Sequence, residues 1–330
     1  MNDFFIDARS PSEYAHAHIP GAVNLPLLDD EQRRIIGTTY KKEGREAAVL
    51  KGFDLVGPKF GDLVRQAKGI TDSRKVTVYC WRGGMRSSIL SWVLSLSGFH
   101  VTIRKGGYKA FRLEMLAVLQ EPRKILILGG RTESGKTAVL HELYAAGEQV
   151  IDLEALSNHK GSAFGSLGLP PQPSNEQFEN LIALQWKQLD PSRFCWLENE
   201  SRSIGRNKIP DVLFERMRIA PVVDVVADME ARRVRILEEY GTFNKEELAS
   251  CTLKLSERLG GLRLKQALAA LEENRMNDWL DILLVYYDKM YNHGNSLRDP
   301  LSLHAMPWES SQSTASFAQL LVNFKNNIHV

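Results

Sequence analysis

Two stretches of this sequence hold residues whose types and spacing can do chemistry. In Tyr79-Cys80-Trp81-Arg82-Gly83-Gly84-Met85-Arg86-Ser87-Ser88 a cysteine ends a β-branched run, and two glycines and two arginines follow it. A thiol at the C-terminal end of a buried strand, ahead of a small-residue loop and a helix, sits where amides and the helix N-terminus favour negative charge. Arg82 and Arg86 add two full positive charges, so Cys80 is expected to be a thiolate nucleophile at neutral pH. Gly83 and Gly84 let the backbone curl until several N–H groups face one anion. The second stretch, Gly130-Arg131-Thr132-Glu133-Ser134-Gly135-Lys136-Thr137, matches G-x-x-x-x-G-K-[ST] behind an apolar strand and at the opening of a helix. The amides of Gly130, Ser134 and Gly135 would wrap diphosphate oxygens, Lys136 would neutralise them, and Thr137 would hold Mg²⁺.

Glu133 is out of character in that loop, because it places a carboxylate among groups that bind anions, at a position that often carries Gly. Either it points to solvent or it weakens phosphate binding. Asp152 and Glu154 follow one strand and Glu198 and Glu200 another. Thr137, Asp152 and Glu198 are assigned to the metal side of the loop; as lone groups these carboxylates read equally as solvated strand-end charges. Cys195 and Cys251 read as buried structural cysteines, and with Cys80 they form no C-x-x-C pair, which argues against a disulfide framework or a cysteine zinc site.

The elements that must position these residues are legible in outline. Phe4-Phe5-Ile6 is a short strand, and Ser10 before Pro11 caps a helix with Glu13 completing a capping box. The segment "HIPGAVNLP" is turn, strand and turn; 29–70 is mostly helical; Lys75–Tyr79 is a β-branched strand. A helix over 87–97, a strand over 100–104 and a closing helix over 108–120 complete a β-α-β-α-β order, which predicts a parallel sheet covered by helices. The domain boundary falls at Glu121-Pro122, giving domains 1–120 and 123–330. Lys124–Leu128 is a compact buried strand and 137–144 the helix after the phosphate loop. Further strands are expected at 150–151, 194–197 and 222–226, and from 228 onward the chain reads as helical, broken at Gly260-Gly261.

At 330 residues, 43% hydrophobic and 25% charged, the chain has an ordinary globular composition. No run is long and apolar enough to cross a membrane, and the start lacks a secretory signal, so a cytoplasmic location with no membrane partner is expected. The net charge of +2 hides an asymmetry: residues 1–120 hold 18 Lys+Arg against 12 Asp+Glu, and the remainder 24 against 28. That surplus permits a phosphate-rich partner.

The first part resembles the rhodanese family through Asp7-x-Arg9-x-x-x-Glu13-Tyr14, His18-Ile19-Pro20-Gly21-Ala22-x-Asn24-Leu25-Pro26, the Cys80 loop, and Gly106-Gly107. Ala17 stands where rhodaneses usually carry Gly. The loop is longer than the common rhodanese loop, and C-x-x-G-x-x-R also fits cysteine phosphatases, although Tyr79 replaces their usual His. With the P-loop beside it, "CWRGGMRS" resembles the tRNA 2-selenouridine synthases, as do "NLPLLDDEQRRIIGTTYKKEGREAA", "GSAFG", "ENESRSIG", "RLGG" and "YYDKMY". The resemblance implies a rhodanese-like parallel-sheet domain followed by a P-loop NTPase-like α/β domain with a helical C-terminal region. It also implies an activity: a 2-thiouridine at the tRNA wobble position is S-geranylated from geranyl diphosphate, then converted to 2-selenouridine with selenophosphate, selenium being carried on Cys80. A selenophosphate-producing enzyme is an expected partner. The competing readings are a cysteine-dependent phosphatase, a sulfurtransferase fused to a P-loop kinase, and a non-enzymatic RNA-binding module. Trp81 is expected to pack, with stacking on a flipped wobble base as the other reading. Lys254, Arg258, Arg263 and Lys265 read as a tRNA-contacting stripe or a solvated face.

Overall fold

The computed structural model describes residues 4–309 and 311–328. The chain divides into two compact units, Met1–Val118 with Glu179–Leu184, and Leu119–Phe178 with Gln185–Val330.

In the first unit the elements run β1 (Phe4–Asp7), α1 (Pro11–His16), β2 (Val23–Asn24), α2 (Asp30–Glu43), α3 (Arg45–Val56), α4 (Phe60–Ile70), β3 (Lys75–Tyr79), α5 (Met85–Leu96), β4 (His100–Ile103) and α6 (Gly107–Val118). The four strands make one parallel sheet in the order β2-β1-β3-β4. Val76, Thr77, Val78 and Tyr79 of β3 are all buried, the pattern of an inner strand covered on both faces. Helix α2 starts at a reciprocal cap: Asp29 accepts the Gln32 N–H at 2.8 Å, and the Gln32 side chain accepts the Asp29 N–H at 3.2 Å. Ile6, Leu25, Val78, Leu90 and Leu94 are fully enclosed in the core between sheet and helices.

The rest of the chain runs β5 (Lys124–Gly130), α7 (Lys136–Ala145), β6 (Gln149–Ile151), α8 (Leu153–Ser157), α9 (Asn175–Gln188), whose residues 179–184 belong to the first unit, β7 (Phe194–Glu198), β8 (Ser203–Ile204), β9 (Asn207–Lys208), α10 (Asp211–Ile219) and β10 (Val222–Ala227). Six helices follow, α11 (Met229–Tyr240), α12 (Lys245–Leu253), α13 (Ser256–Leu259), α14 (Gly261–Glu272), α15 (Met276–Ser296) and, after β11 (Leu303–Trp308), α16 (Thr314–Lys325). The main sheet is parallel, in the order β11-β10-β5-β7-β6. Leu126, Leu128, Val139, Leu143, Trp196 and Phe317 fill its core, while α11, α12, α14 and α15 close a separate apolar cluster around Tyr240 and Trp279.

The expectation of helix throughout the segment after 228 needs correction, because β11 pairs residue for residue with β10 from Val222↔Leu303 to Ala227↔Trp308. Pro307 interrupts the sequence signal of a strand and lacks an N–H. An edge strand tolerates that loss. The short antiparallel pair β8–β9 is also absent from the sequence reading; it turns at Gly205, whose φ is +57°.

Candidate functional site

Cys80 follows directly on β3, at the C-terminal edge of the first sheet, and its loop leads into α5. The glycines explain how that loop lies so close to the next one. A Cβ on Gly107 (φ +60°) would stand 2.2 Å from the Cys80 carbonyl oxygen and 2.5 Å from the Gly83 nitrogen. Only two bare backbones fit there. The Tyr108 N–H donates to the Cys80 carbonyl and the Lys109 N–H to the Trp81 carbonyl, both at 2.9 Å, so the start of α6 holds the thiol loop in place.

The thiol is buried, with Sγ 3.3 Å from Ser87 Oγ and 3.9 Å from the Gly84 carbonyl. Burial pushes its pKa up, but the Ser87 hydroxyl and the amides of Ser87, Arg82 and Gly84 outweigh burial and hold it below the ordinary thiol value. Of the causes expected from sequence, loop amides and two arginine charges, the amides act on the sulfur, with the Ser87 hydroxyl beside them. Arg86 is committed to Glu13, with contacts of 2.5 and 3.3 Å, and Glu13 also accepts the Ser10 N–H at 3.1 Å. Arg86 therefore ties the loop to the cap of α1. Arg82 is exposed at the loop's tip. Trp81 is 40% exposed and leans on Tyr108 with ring centroids 5.8 Å apart, so one face is packed and another open. Behind the loop, Arg9 and Asp7 form a buried ion pair at 2.6 Å, and Arg9 also donates to the Ala17 carbonyl. The partner at position 17 is a backbone oxygen, which Ala supplies as well as Gly. Cys195 and Cys251 are both buried, and burial raises the Cys195 pKa.

In the second unit the loop Gly130–Thr137 links the central strand β5 to α7. Gly130 (φ +147°) leaves no room for a Cβ, which would lie 2.3 Å from Ser134 Oγ, and a Cβ on Gly135 (φ +87°) would strike the Trp308 ring at 2.6 Å. Lys136 Nζ folds over the loop, donating to the Gly130 and Arg131 carbonyls at 3.0 and 3.2 Å. The Gly130 N–H donates to Tyr291 Oη at 2.6 Å, and Tyr291 donates to Asp224. Arg232, fully buried, donates to the Thr132 carbonyl at 2.9 Å and pairs with Asp288 at 2.5 Å. The loop is thus braced from α11 and α15, and Tyr291 and Asp288 belong to the "YYDKMY" stretch.

The loop opens on a cleft of about 900 Å³ lined also by Asp152, Glu154, Glu198, Glu200, Lys160, Arg235 and Tyr287. Glu154, Glu198 and Glu200 bring carboxylate oxygens within 4.8 Å of one another. Burial and the two neighbouring carboxylates push Glu154 up to about 10, and burial raises Glu198 to about 7 while Lys136 and the Thr137 hydroxyl pull it down. Asp152, assigned from sequence to the metal set, is engaged elsewhere: it accepts the Ala155 N–H at 2.8 Å as the cap of α8 and meets His141 at 3.1 Å. Glu154 and Glu200 stand where it was expected. Gly161 of "GSAFG" makes room for them, since its Cβ would lie 2.8 Å from a Glu200 oxygen and 3.0 Å from a Glu154 oxygen.

Among the described residues, Glu198 Oε1 and Ser134 Oγ are buried with no hydrogen-bond partner. An orphaned carboxylate oxygen, two more carboxylates and the Thr137 hydroxyl make an all-oxygen donor set that fits a hard divalent cation such as Mg²⁺. Glu133 lines the same cleft instead of pointing away, and burial raises its pKa. Lys254, Arg258, Arg263 and Lys265 are exposed but fall on or between three short helices, and Arg258 donates to Tyr286 Oη at 3.1 Å.

Comparison with known proteins matches residues 1–114 to the rhodanese-like domain and residues 123–309 to the tRNA 2-selenouridine synthase AAA domain. Among curated relatives, the tRNA 2-selenouridine synthase of Shewanella frigidimarina is 34% identical, covering 87% of each chain. That of Sulfurovum sp. is 36% identical over 88% of each, and that of Nitrosomonas europaea 37% identical over 71% of this chain and 63% of its own.

Proposed function

We propose, from the premise that this chain belongs to the tRNA 2-selenouridine synthase family, that its two loops divide the conversion of a tRNA wobble 2-thiouridine to 2-selenouridine into two steps. The chain is a transferase acting on tRNA, with selenophosphate as its selenium donor. In the first step the thiocarbonyl sulfur attacks C1 of geranyl diphosphate, a C–S bond forms and the C–O bond breaks. The leaving diphosphate is received by the amides of Gly130, Ser134 and Gly135 and by Lys136, which stabilise charge as it develops. Thr137 and Glu198, with Glu154 and Glu200, would hold Mg²⁺, which when bound neutralises diphosphate charge. Alkylation turns sulfur into a leaving group and makes C2 electrophilic. In the second step the Cys80 thiolate takes the phosphoryl group of selenophosphate, an S–P bond forming as the P–Se bond breaks; the freed selenide attacks C2, geranylthiolate departs, and water releases phosphate from Cys80. Ser87 and the loop amides keep the Cys80 sulfur anionic for loading, and Arg86, locked to Glu13, fixes the loop that presents it.

The observation that carries this reading is the presence in one chain of a thiol held below its ordinary pKa and a braced phosphate loop facing an acidic cleft. Supply of selenophosphate by a producing enzyme and a cytoplasmic location belong to the same proposal; no helix among the described residues is long and apolar enough to cross a membrane. Incubating thiolated tRNA with geranyl diphosphate, then with selenophosphate, and reading nucleosides by mass spectrometry should show S-geranyl-2-thiouridine followed by 2-selenouridine. If neither mass appears, the proposal fails.

A further inference from the structure

Glu133 is a side chain that the proposed chemistry does not use. Its φ is +55°, and the other described non-glycine residues in that region, Asn158 and Asn274, are of the type that tolerates it. A glutamate has no such ease. The strain therefore sits at the apex of the phosphate loop, with the side chain half-buried and lining the cleft. Around it are Lys136 of its own loop, Lys160, Arg235 and Glu239; Arg235 also reaches the Glu133 carbonyl at 3.4 Å.

The charge balance of the cleft follows from that arrangement. Its lining holds seven carboxylates against only three strongly basic groups, Lys136, Lys160 and Arg235. All three line the cleft with Glu133 and act on it electrostatically. Each further negative charge on a ligand must compete for them.

We infer that Glu133 is a specificity-determining residue, a carboxylate built into the phosphate loop that admits a diphosphate ester and disfavours a nucleoside triphosphate. The inference rests on the proposed diphosphate reading of the same cleft and adds what the cleft rejects. Selection here works by repulsion: the two ligands meet the same amides and the same lysine, and differ in how much negative charge they bring against Glu133. A glycine at this position would relax the backbone and remove the charge together, whereas glutamine removes the charge alone.

The test uses the full chain, unchanged or carrying Glu133→Gln or Glu133→Gly, titrated calorimetrically with inorganic diphosphate and with ATP, both in Mg²⁺. The unchanged chain should bind diphosphate more tightly than ATP. Glu133→Gln should tighten ATP more than diphosphate and narrow that preference by about tenfold, the size of one screened charge–charge contact. Glu133→Gly should narrow it similarly; any general loosening of the loop changes both affinities and cancels in their ratio. A ratio unchanged in both variants, or an unchanged chain that prefers ATP, overturns the inference. The nucleoside mass assay separates the two claims. S-geranyl product with an unchanged ratio sinks only the role of Glu133, and a narrowed ratio with no S-geranyl product sinks only the geranyl reading.

Discussion

Ser87 Oγ stands 3.3 Å from Cys80 Sγ and 2.8 Å from the Gly84 carbonyl, so its single proton has two acceptors to choose between. When the thiol ionises, the charged acceptor gains more from that proton, by about 1.5–3 kcal/mol. Ser87→Ala should therefore move the pH profile of Cys80 alkylation by iodoacetamide upward by about one unit or more. In the unchanged chain Cys80 should react before the more deeply buried Cys195 and at lower pH than a free thiol; a profile that Ser87→Ala leaves in place would assign the activation to the amides alone. Glu198 gives a second test. Burial raises it from 4.5 to about 7, so the folded chain holds a proton that the unfolded chain has released. Stability conferred by that proton is full at low pH and is lost as pH rises between about 4.5 and about 7. In chelator the melting temperature should fall across that window, and both Mg²⁺ and Glu198→Gln should flatten the fall. The loop amides near Cys80 are legible in sequence from the glycines, whereas the Ser87 hydroxyl seven residues on is not, because only the folded loop brings it to the sulfur.

Strands β3, β5 and β10 are visible in sequence because inner parallel strands are dense in Val, Ile and Leu, broken here only by Thr77 and Asp224. Strand β11 is not, since Leu303-His304-Ala305-Met306-Pro307-Trp308 has neither alternation nor a β-branched run, and its place is set by pairing with β10. Its last residue matters most. The Trp308 ring stacks on Phe317 at 5.0 Å, lies under the Arg235 guanidinium at 4.5 Å and touches the site of Gly135 in the phosphate loop. Trp308→Ala should cost about 3–5 kcal/mol of stability, as for other buried aromatics. It should also weaken diphosphate binding in the variant that remains folded, measured by thermal melting and calorimetry together. A full loss of stability with unaltered diphosphate affinity would reduce Trp308 to a core residue.

For the whole molecule, the thiol and the phosphate loop fall in different compact units, and the two steps should separate by mutation. Cys80→Ala should accumulate the S-geranyl nucleoside, because the phosphate loop is intact and only the thiolate that frees selenide is gone. Lys136→Ala should lose the geranyl step and still convert tRNA supplied already geranylated. If Lys136→Ala, folded, fails on that substrate, or Cys80→Ala makes selenouridine, the division of labour is wrong. Binding of tRNA should weaken steeply with added salt, as phosphate contacts by Lys and Arg release counterions. The two motifs and the order of the inner strands were readable because each rests on local spacing, whereas the bracing of the phosphate loop joins residues more than 90 positions apart, as in Arg232 on Thr132 and Tyr291 on Gly130. That separation has a consequence for synthesis. The ribosome delivers Gly130–Thr137 long before Trp308, and domains form as the chain emerges, N-terminal parts first. A nascent chain halted before residue 308 thus carries a phosphate loop that has no indole beneath it, and the packing of Gly135 is completed only once Trp308 has been delivered.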